Sequence, residues 1–382
     1  MRNAGERRLQ NFVTLFCALV FALFGFTFVA VYKSAEIEVV YDALATGKLQ
    51  YNGYVLSAVF TSLLLGLALW LNRFAGFRRE WSAMAYVPSA LLLAFFTDID
   101  RTFFTGGKEY AVWAWAFGAG LLLYAGFSFV LNRMLFEKIK DSSAVAHRII
   151  WRNLILFVIM FMAVGCLSGS ERNFRREALQ YTLFKKGDME AALAVGRHSP
   201  VASRQLSAQR AYMLSLKGEL ADHFFDYPVC FDSESLLPSV ERDAPIEPCA
   251  VYSHIGIERR SGEGAMDFLS RAVEQCDSNV VAREYYLTAL LTERRLVDFV
   301  DKVFEYYNVG DSDRLPKHYK EALVLYAFIL PSFDVRVKDE AVAQRFAAMM
   351  EAVRECGDAP MTAYLMRIVY GDTYWWYFLY GE

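Results

Sequence analysis

The feature that most limits how this chain can fold is a series of long apolar runs before residue 170. A helix needs about 20 predominantly apolar residues to cross the roughly 30 Å hydrocarbon core of a bilayer. Five segments approach that length, namely residues 11–32, 52–71, 81–96, 111–131 and 151–167. We therefore predict that residues 1–169 form a bundle of about five transmembrane helices.

Two of these segments need separate interpretation. Basic residues precede the first run, as they do in a signal peptide, but the run is too long for a cleaved segment, and we interpret it as an uncleaved anchor. The third run is short and contains Pro88, which a spanning helix tolerates where neighbours satisfy the freed backbone groups. If one span is misassigned, everything after it changes sides of the membrane.

Lysine and arginine residues in the short loops predict the orientation, because cytoplasmic loops carry an excess of positive charge. One side carries Arg2, Arg7, Arg8, Arg73, Arg78, Arg79, Arg133, Lys138, Lys140, Arg148 and Arg152. The opposite side carries fewer basic residues among several acids: Lys33, Lys48, Arg101, Lys108, Glu36, Glu38, Asp42, Asp98, Asp100 and Glu109. The arginines at 172, 175 and 176 reduce this bias without reversing it. We expect a multi-pass protein of a bacterial inner membrane, with a cytoplasmic N-terminus and a periplasmic or otherwise extracytoplasmic domain at residues 170–382.

The second part of the chain has the charge content of an ordinary water-soluble domain, and its apolar residues recur with helical period. Gly187 ends one predicted helix, Asp188 can cap the next, and Gly218 ends another. The turns that begin at Lys186 and Lys217 lie 31 residues apart, a spacing typical of stacked helical hairpins. Residues 226–252 contain four prolines and no clear period, so we predict a loop-rich insertion there.

Several of these turn residues resemble the tetratricopeptide repeat. Gly187, Asp188 and Ala192 match its inter-helix turn, and Gly218 and Glu219 match the start of a second turn. A histidine stands where that second turn would have its small residue. The resemblance covers residues 171–227, and it implies an α-solenoid that holds a protein partner on a concave surface.

The layout of the whole chain also resembles a family of uncharacterised bacterial membrane proteins. Later hairpins, at residues 280–307 and 317–356, keep the repeat rhythm without the small residues. The chain then ends in an aromatic tail that includes Tyr374, Trp375, Trp376 and Tyr377. This second resemblance implies no known activity. The tail itself is predicted to be a helix that closes the repeat stack, with a bilayer-docking helix or a binding surface as alternatives.

Four cysteines lie in the second part of the chain: Cys230, Cys249, Cys276 and Cys356. An even number in an oxidising compartment is typical of disulfides. We favour a Cys230–Cys249 pair with a Cys276–Cys356 pair, and free buried thiols are the alternative. No spacing of cysteine or histidine indicates a zinc site, so we predict no metal and no cofactor.

Acidic residues in the outer loops offer an enzymatic alternative. Membrane glycosyltransferases that use a lipid-linked sugar donor need an outward-facing carboxylate as base and a cation to hold the phosphate. The candidate residues here are Glu36, Glu38, Asp42, Asp98, Asp100 and Arg101. Solvated acidic loops are the simpler explanation, and such enzymes usually have more than five spans.

The sequence contains no nucleophile elbow, phosphate-binding loop or dinucleotide fingerprint, and its net charge of -3 does not indicate nucleic-acid binding. Few charges lie deep within the apolar runs, so an ion pathway is also unsupported. We therefore expect a membrane-anchored interaction or scaffold protein that is not an enzyme, with membrane lipid and a protein as its partners.

Overall fold

The computed structural model describes residues 2–45, 51–75, 79–101, 110–134, 143–169, 171–199, 201–230, 232–239, 248–276, 278–307, 314–331, 339–357 and 360–381. All regular secondary structure in these ranges is helical, which confirms the predicted all-α class. The chain divides into two compact units, Met1–Ala178 and Leu179–Glu382.

Seven helices of the first unit lie within its described ranges. They are α1 (Arg2–Thr27), α2 (Ser34–Ala45), α3 (Gly53–Ala75), α4 (Val87–Thr97), α5 (Tyr110–Met134), α6 (Ser143–Leu167) and α7 (Arg172–Lys185), the last of which crosses the unit boundary. A π-helical turn, Phe28–Tyr32, continues α1, and a 3₁₀ segment, Arg79–Tyr86, leads into α4.

Three of the described helices are long and apolar enough to cross a membrane. They cover Asn11–Tyr32, Gly53–Arg73 and His147–Leu167, with mean hydropathies of 2.5, 2.0 and 2.1. The segments Trp81–Thr97 and Trp113–Gly126 are apolar but shorter. The chain therefore has the helices of a membrane protein, and all five predicted runs are helical.

Pro88 occupies a different place from the one its sequence position suggested. It lies in the first turn of α4 rather than in the middle of a continuous helix. A helix leaves its first backbone N–H groups without intrahelical partners, so a proline in this turn removes little hydrogen bonding from the helix. The preceding residues form the 3₁₀ segment, and α4 itself is only 11 residues long.

The first unit exposes many large apolar side chains on its surface, in addition to those that it buries. Cys17, Ala68 and Tyr86 are fully buried, whereas Leu122 and Trp115 are 75% and 80% exposed. A water-soluble domain would bury such large side chains, because each contributes roughly 2 kcal/mol when it leaves water. The exposed apolar surface fits a hydrocarbon environment.

The second unit contains the remaining described helices. They are α8 (Met189–Ala194), α9 (Arg204–Lys217), α10 (Leu220–His223), α11 (Pro248–Ile255), α12 (Ala265–Gln275), α13 (Val280–Thr292), α14 (Leu296–Tyr306), α15 (Lys317–Ile329), α16 (Glu340–Cys356), α17 (Pro360–Tyr370) and α18 (Tyr374–Tyr380). One large cluster of buried apolar residues extends from Ala192 to Tyr377 and forms its core.

The turn signals around Gly187 and Gly218 act as predicted. Both glycines have positive φ, of 82° and 70°, which favours glycine because a Cβ atom is disfavoured there. The Asp188 side chain accepts a hydrogen bond from the backbone N–H of Ala191, so it caps α8. The local sequence therefore specified where these helices end and begin.

Distant segments of the second unit also contact each other. The backbone N–H of Lys317, at the start of α15, donates to Asp222 Oδ1 in α10 at 2.7 Å. The Arg367 guanidinium in α17 donates to the carbonyl oxygen of Ser199, which lies 168 residues earlier. In a linear repeat stack each repeat contacts only its neighbours, so these contacts make the unit more closed than such a stack.

The predicted insertion at residues 226–252 is partly described. Its described portions contain the 3₁₀ turn Ser233–Leu236 and the beginning of α11, and residues 240–247 lie outside the described ranges. Several charged residues used to predict the orientation also lie outside them, namely Lys48, Arg78, Lys108, Glu109, Lys138 and Lys140.

Candidate functional site

A buried charge pair follows the first apolar helix. Lys33 lies directly after the π-helical turn and is 1% exposed, and its Nζ donates to the carbonyl oxygen of Ser168 at 2.6 Å. The same Nζ lies 3.8 Å from Glu36 Oε1, and Glu36 is 0% exposed. Burying either charge alone would cost several kcal/mol, so the two side chains stabilise each other's burial.

A second ion pair joins the end of the α4 region to α7. Arg101 donates two hydrogen bonds to the carboxylate of Glu177, at 2.6 and 2.7 Å, and Glu177 is fully buried. The guanidinium of Arg175 lies 3.9 Å from the ring centroid of Tyr32, a cation–π distance. Together with the Lys33 bond to Ser168, these contacts attach residues 168–178 to the first unit.

The acids proposed as a catalytic base differ in their surroundings. Asp98 Oδ2 accepts a hydrogen bond from Trp113 Nε1 at 2.7 Å, and Glu38 is buried. Asp42 and Asp100 are partly exposed. A general base must reach the proton that it abstracts, and a phosphate-binding arginine must have donors to offer. Glu36 and Glu38 are buried and one amino group of Arg101 binds Glu177, and the transferase hypothesis stays a prediction.

The sequence did not reveal the partners of these residues. Lys33 had counted only as a loop charge, and Glu177 had been placed in the second domain. A lysine directly after a span, next to acids three and five residues on, is a signal that could have been read as an ion pair. The contact of Arg101 with a residue 76 positions away has no local signal.

The aromatic tail lies in the core of the second unit. Trp375 is 0% exposed and its Nε1 donates to the carbonyl oxygen of Glu321 at 2.7 Å. The hydroxyl groups of Tyr374 and Tyr377 donate to the carbonyl oxygens of Leu291 and Thr292. Three of the four candidate side chains are therefore inaccessible to a partner, and Trp376 is partly buried.

A polar network surrounds the start of α15. Lys317 Nζ donates to Asp226 Oδ1 and to the carbonyl oxygen of Asp372, both at 2.7 Å. The buried His318 lies between two acids, with Nδ1 2.8 Å from Glu321 Oε2 and Nε2 3.5 Å from Asp226 Oδ1. Its position next to the tail indicates that this network holds α18 in place.

The described cysteines and possible metal ligands form no site. No disulfide joins Cys230, Cys249, Cys276 and Cys356 in the described part of the chain, Cys249 and Cys356 are exposed, and the predicted pairing stays a prediction for an oxidising compartment. Among the described residues, no group of three or more His, Cys, Asp or Glu side chains could hold a metal ion.

The most exposed apolar surface of the second unit lies on α17, and the sequence analysis missed it. Met361, Tyr364, Leu365, Ile368 and Val369 are between 44% and 67% exposed. Their spacing of three, four, seven and eight residues from Met361 places them on one face of the helix. We call these five residues the α17 stripe. The opposite face packs inward through Thr362 and Met366. The sequence did contain a signal for this surface, because α17 is apolar on both faces and only one of them can pack against the unit.

The comparisons with known proteins add one match. Residues 260–381 match the model of a family described as "Family of unknown function (DUF6057)". No curated protein and no solved structure significantly matches the chain. The matched region extends from shortly before α12 through α18, so it contains the α17 stripe and the buried tail and excludes the first unit.

Proposed function

We propose that this chain is a membrane-anchored interaction protein whose second unit binds a protein partner through the α17 stripe. The observation that carries the proposal is the exposure of five large apolar side chains on one helix face. The other apolar residues of the unit lie largely in one core, although exposed ones such as Val297 and Phe328 occur on other helices. Contiguous exposed apolar patches on water-soluble surfaces mark interaction sites far more often than scattered single residues do.

The charges near the stripe favour a protein over the bilayer surface. The single charged residue of α17, Arg367, turns inward to the Ser199 carbonyl oxygen and lies 5.3 Å from the Trp376 ring centroid. Arg345, on the neighbouring α16, binds Asp372. Helices that lie on membranes usually direct several lysines and arginines toward anionic headgroups. The stripe has no such basic border among the described residues of α17.

The size of the stripe favours a partner that is held nearby. An 11-residue helix is about 16 Å long and about 10 Å wide with its side chains, so one face covers a few hundred square ångströms at most. Stable interfaces bury about 800 Å² on each partner. Anchoring to the same membrane raises the effective concentration of a partner, so a weak contact of this size suffices there.

The proposed function also includes a membrane topology and a helical-repeat architecture. Five spans with a cytoplasmic N-terminus, as the loop charges suggest, would place the stripe outside the cytoplasm. The hairpins formed by α7 with α8 and by α9 with α10 support a tetratricopeptide-like beginning, through the two positive-φ glycines and the Asp188 cap. The partner surface we propose is an exposed convex helix face rather than a concave channel.

The test is recovery of partners from native membranes after mild crosslinking. We compare the wild-type chain with Leu365→Ser/Ile368→Ser and with the control variant Val297→Ser, which changes a similarly exposed apolar residue on α14. The proposal predicts a stoichiometric protein that the stripe variant loses and the control keeps. Equal recovery of every captured protein by all three chains would contradict it.

A further inference from the structure

The first unit contains a cavity that the proposed function does not use. It has a volume of about 230 Å³ and lies between α6 and the segment formed by the 3₁₀ turn and α4. Every side chain that lines it is apolar, and three of them are short, Ala83, Ala90 and Ala163. We propose that this cavity is a binding groove for one lipid acyl chain.

The groove has a structural cause. Asn153 of α6 accepts a hydrogen bond from the backbone N–H of Ala83 at 2.7 Å through its Oδ1, and its Nδ2 donates to the Ile149 carbonyl oxygen. The bond to Ala83 holds the 3₁₀ segment against α6 at one end, and the bond to Ile149, within α6, fixes the Asn153 side chain. Further along the same two helices, the alanines at 90 and 163 are too short to fill the space between them. The fixed backbone therefore keeps a gap that the side chains do not close.

The groove meets the outer surface of the helices. Ile159 and Leu167, which line it, are 60% and 43% exposed. Residues His147–Leu167 are long and apolar enough to span a membrane, so the surface around these two side chains faces hydrocarbon. An acyl chain can therefore enter from the side without crossing a polar layer.

Volume distinguishes an acyl chain from a partner helix. A cavity of about 150 Å³ holds one benzene molecule, so at that density a cavity of 230 Å³ holds about nine carbon atoms. One helical turn is 5.4 Å high and about 10 Å across, which requires roughly 400 Å³. The enclosed space thus holds part of one acyl chain and cannot enclose a whole turn of helix.

The chemistry of the lining agrees with that occupant. No polar side chain lines the groove, so it offers no hydrogen bond to a headgroup, a sugar or a water molecule. An empty apolar gap leaves its lining atoms without contacts on one side, and a flexible hydrocarbon chain restores those contacts. Binding therefore selects a hydrocarbon chain and leaves the headgroup outside.

The experiment uses the full chain in vesicles that contain a phosphatidylcholine with a photoreactive diazirine on one acyl chain. Irradiation is followed by peptide mapping of the labelled protein. We compare the wild-type chain with Ala163→Phe, which fills the groove, and with Ala119→Phe, which enlarges an exposed alanine of α5 that does not line it. Both alanines are exposed, so neither substitution overpacks a core.

We expect wild type and Ala119→Phe to label residues 83–91 and 156–167 at least fivefold more than other apolar helices. Ala163→Phe should reduce that labelling at least fivefold while leaving label elsewhere unchanged. Uniform labelling along all apolar helices, or enriched labelling that survives Ala163→Phe, would overturn the proposal. A protein crosslinked at the groove in place of lipid would overturn it as well. The α17 stripe takes no part in this readout, so failure here leaves the proposed function intact.

Discussion

The two units solve opposite packing problems with the same secondary structure. In the first unit, large apolar side chains such as Leu122 and Trp115 lie on the surface, and the buried charges form pairs at the ends of helices. In the second unit, the large aromatic side chains lie in the core and the charged side chains lie mostly outside. The difference shows that the surrounding medium, hydrocarbon or water, decides which face of a helix is exposed.

The α17 stripe is the exception in this comparison. It has the exposed apolar character of the first unit, and its five exposed side chains make a larger face than the shorter exposed apolar run at residues 328–330 of the same unit. That exception is why we assign the stripe to a partner. Variants in the first unit, the second unit and the stripe can each test this contrast, and the largest effect is expected in the core of the second unit.

Replacing a core aromatic residue of the tail should destabilise the second unit strongly. Trp375→Ala removes a fully buried side chain and the hydrogen bond to the Glu321 carbonyl oxygen, and should lower the free energy of unfolding by about 4 kcal/mol. Leu379→Ala, on the exposed side of the same helix, should cost less than about 1 kcal/mol. Thermal unfolding followed by circular dichroism measures both. Similar small effects would mean that the tail is not part of the core.

Removing one member of a buried ion pair should destabilise the first unit. Arg101→Met leaves the buried Glu177 carboxylate without its guanidinium and should cost about 3 kcal/mol. The double variant Arg101→Met/Glu177→Gln should recover part of that loss, because it leaves no buried charge. Unfolding in detergent, compared across a double-mutant cycle, measures the coupling. A double variant as unstable as the sum of both single variants would show that the pair does not interact.

The second unit should become less stable as the pH rises through neutrality because of Glu284. Burial, and then the nearby Asp222, raise the pKa of Glu284 from 4.5 to about 7. A raised pKa means that the folded state holds the proton more tightly, so the stabilisation is complete below pH 4.5 and is lost as the pH rises past about 7.

The matching variant is Glu284→Gln, which keeps the side chain uncharged at every pH. It should be more stable than wild type by about 1–2 kcal/mol at pH 8, with the difference disappearing near pH 4. Glu274→Gln, at an exposed position on α12, provides the control and should show no such trend. Parallel pH profiles for wild type and Glu284→Gln would refute the assignment.

Polar substitutions in the α17 stripe should hardly change stability. Ile368→Ser removes an exposed apolar side chain and should change the free energy of unfolding by less than about 0.5 kcal/mol. Met366→Ser, two residues earlier on the buried face, should cost about 2 kcal/mol or more. Chemical denaturation of both variants measures the two changes in the free energy of unfolding. Equal losses would show that the stripe is packed against its own unit.

The sequence predicted the parts of the fold that local chemistry determines. Apolar runs identified five helical segments of the first unit but not α2, which lies where an outer loop was predicted. Gly187, Asp188 and Gly218 identified turns and a cap in the second unit. These features depend on backbone conformation and on residues within a few positions. The short length of α4 and its 3₁₀ lead-in depend on packing against α6, which no local pattern around Pro88 shows.

The candidate sites were less predictable, because each depends on contacts between distant residues. The acids after the first and third runs looked available, but Glu36 is buried beside Lys33, and Arg101 binds Glu177. The aromatic tail was predicted to be a closing helix, but no local pattern identified its partners in α13 and α15. The stripe was missed because periodicity does not say which face of an apolar helix the rest of the unit covers.

The most direct test of the account is site-specific photocrosslinking in native membranes. A photoreactive amino acid replaces Leu365 in the α17 stripe, and in a matched chain it replaces Ala347, an exposed residue of α16. The account predicts one discrete protein adduct from position 365 and none of that mass from position 347. Adducts with lipid alone at position 365, or the same protein adduct from both positions, would contradict the claim that the stripe binds a protein partner.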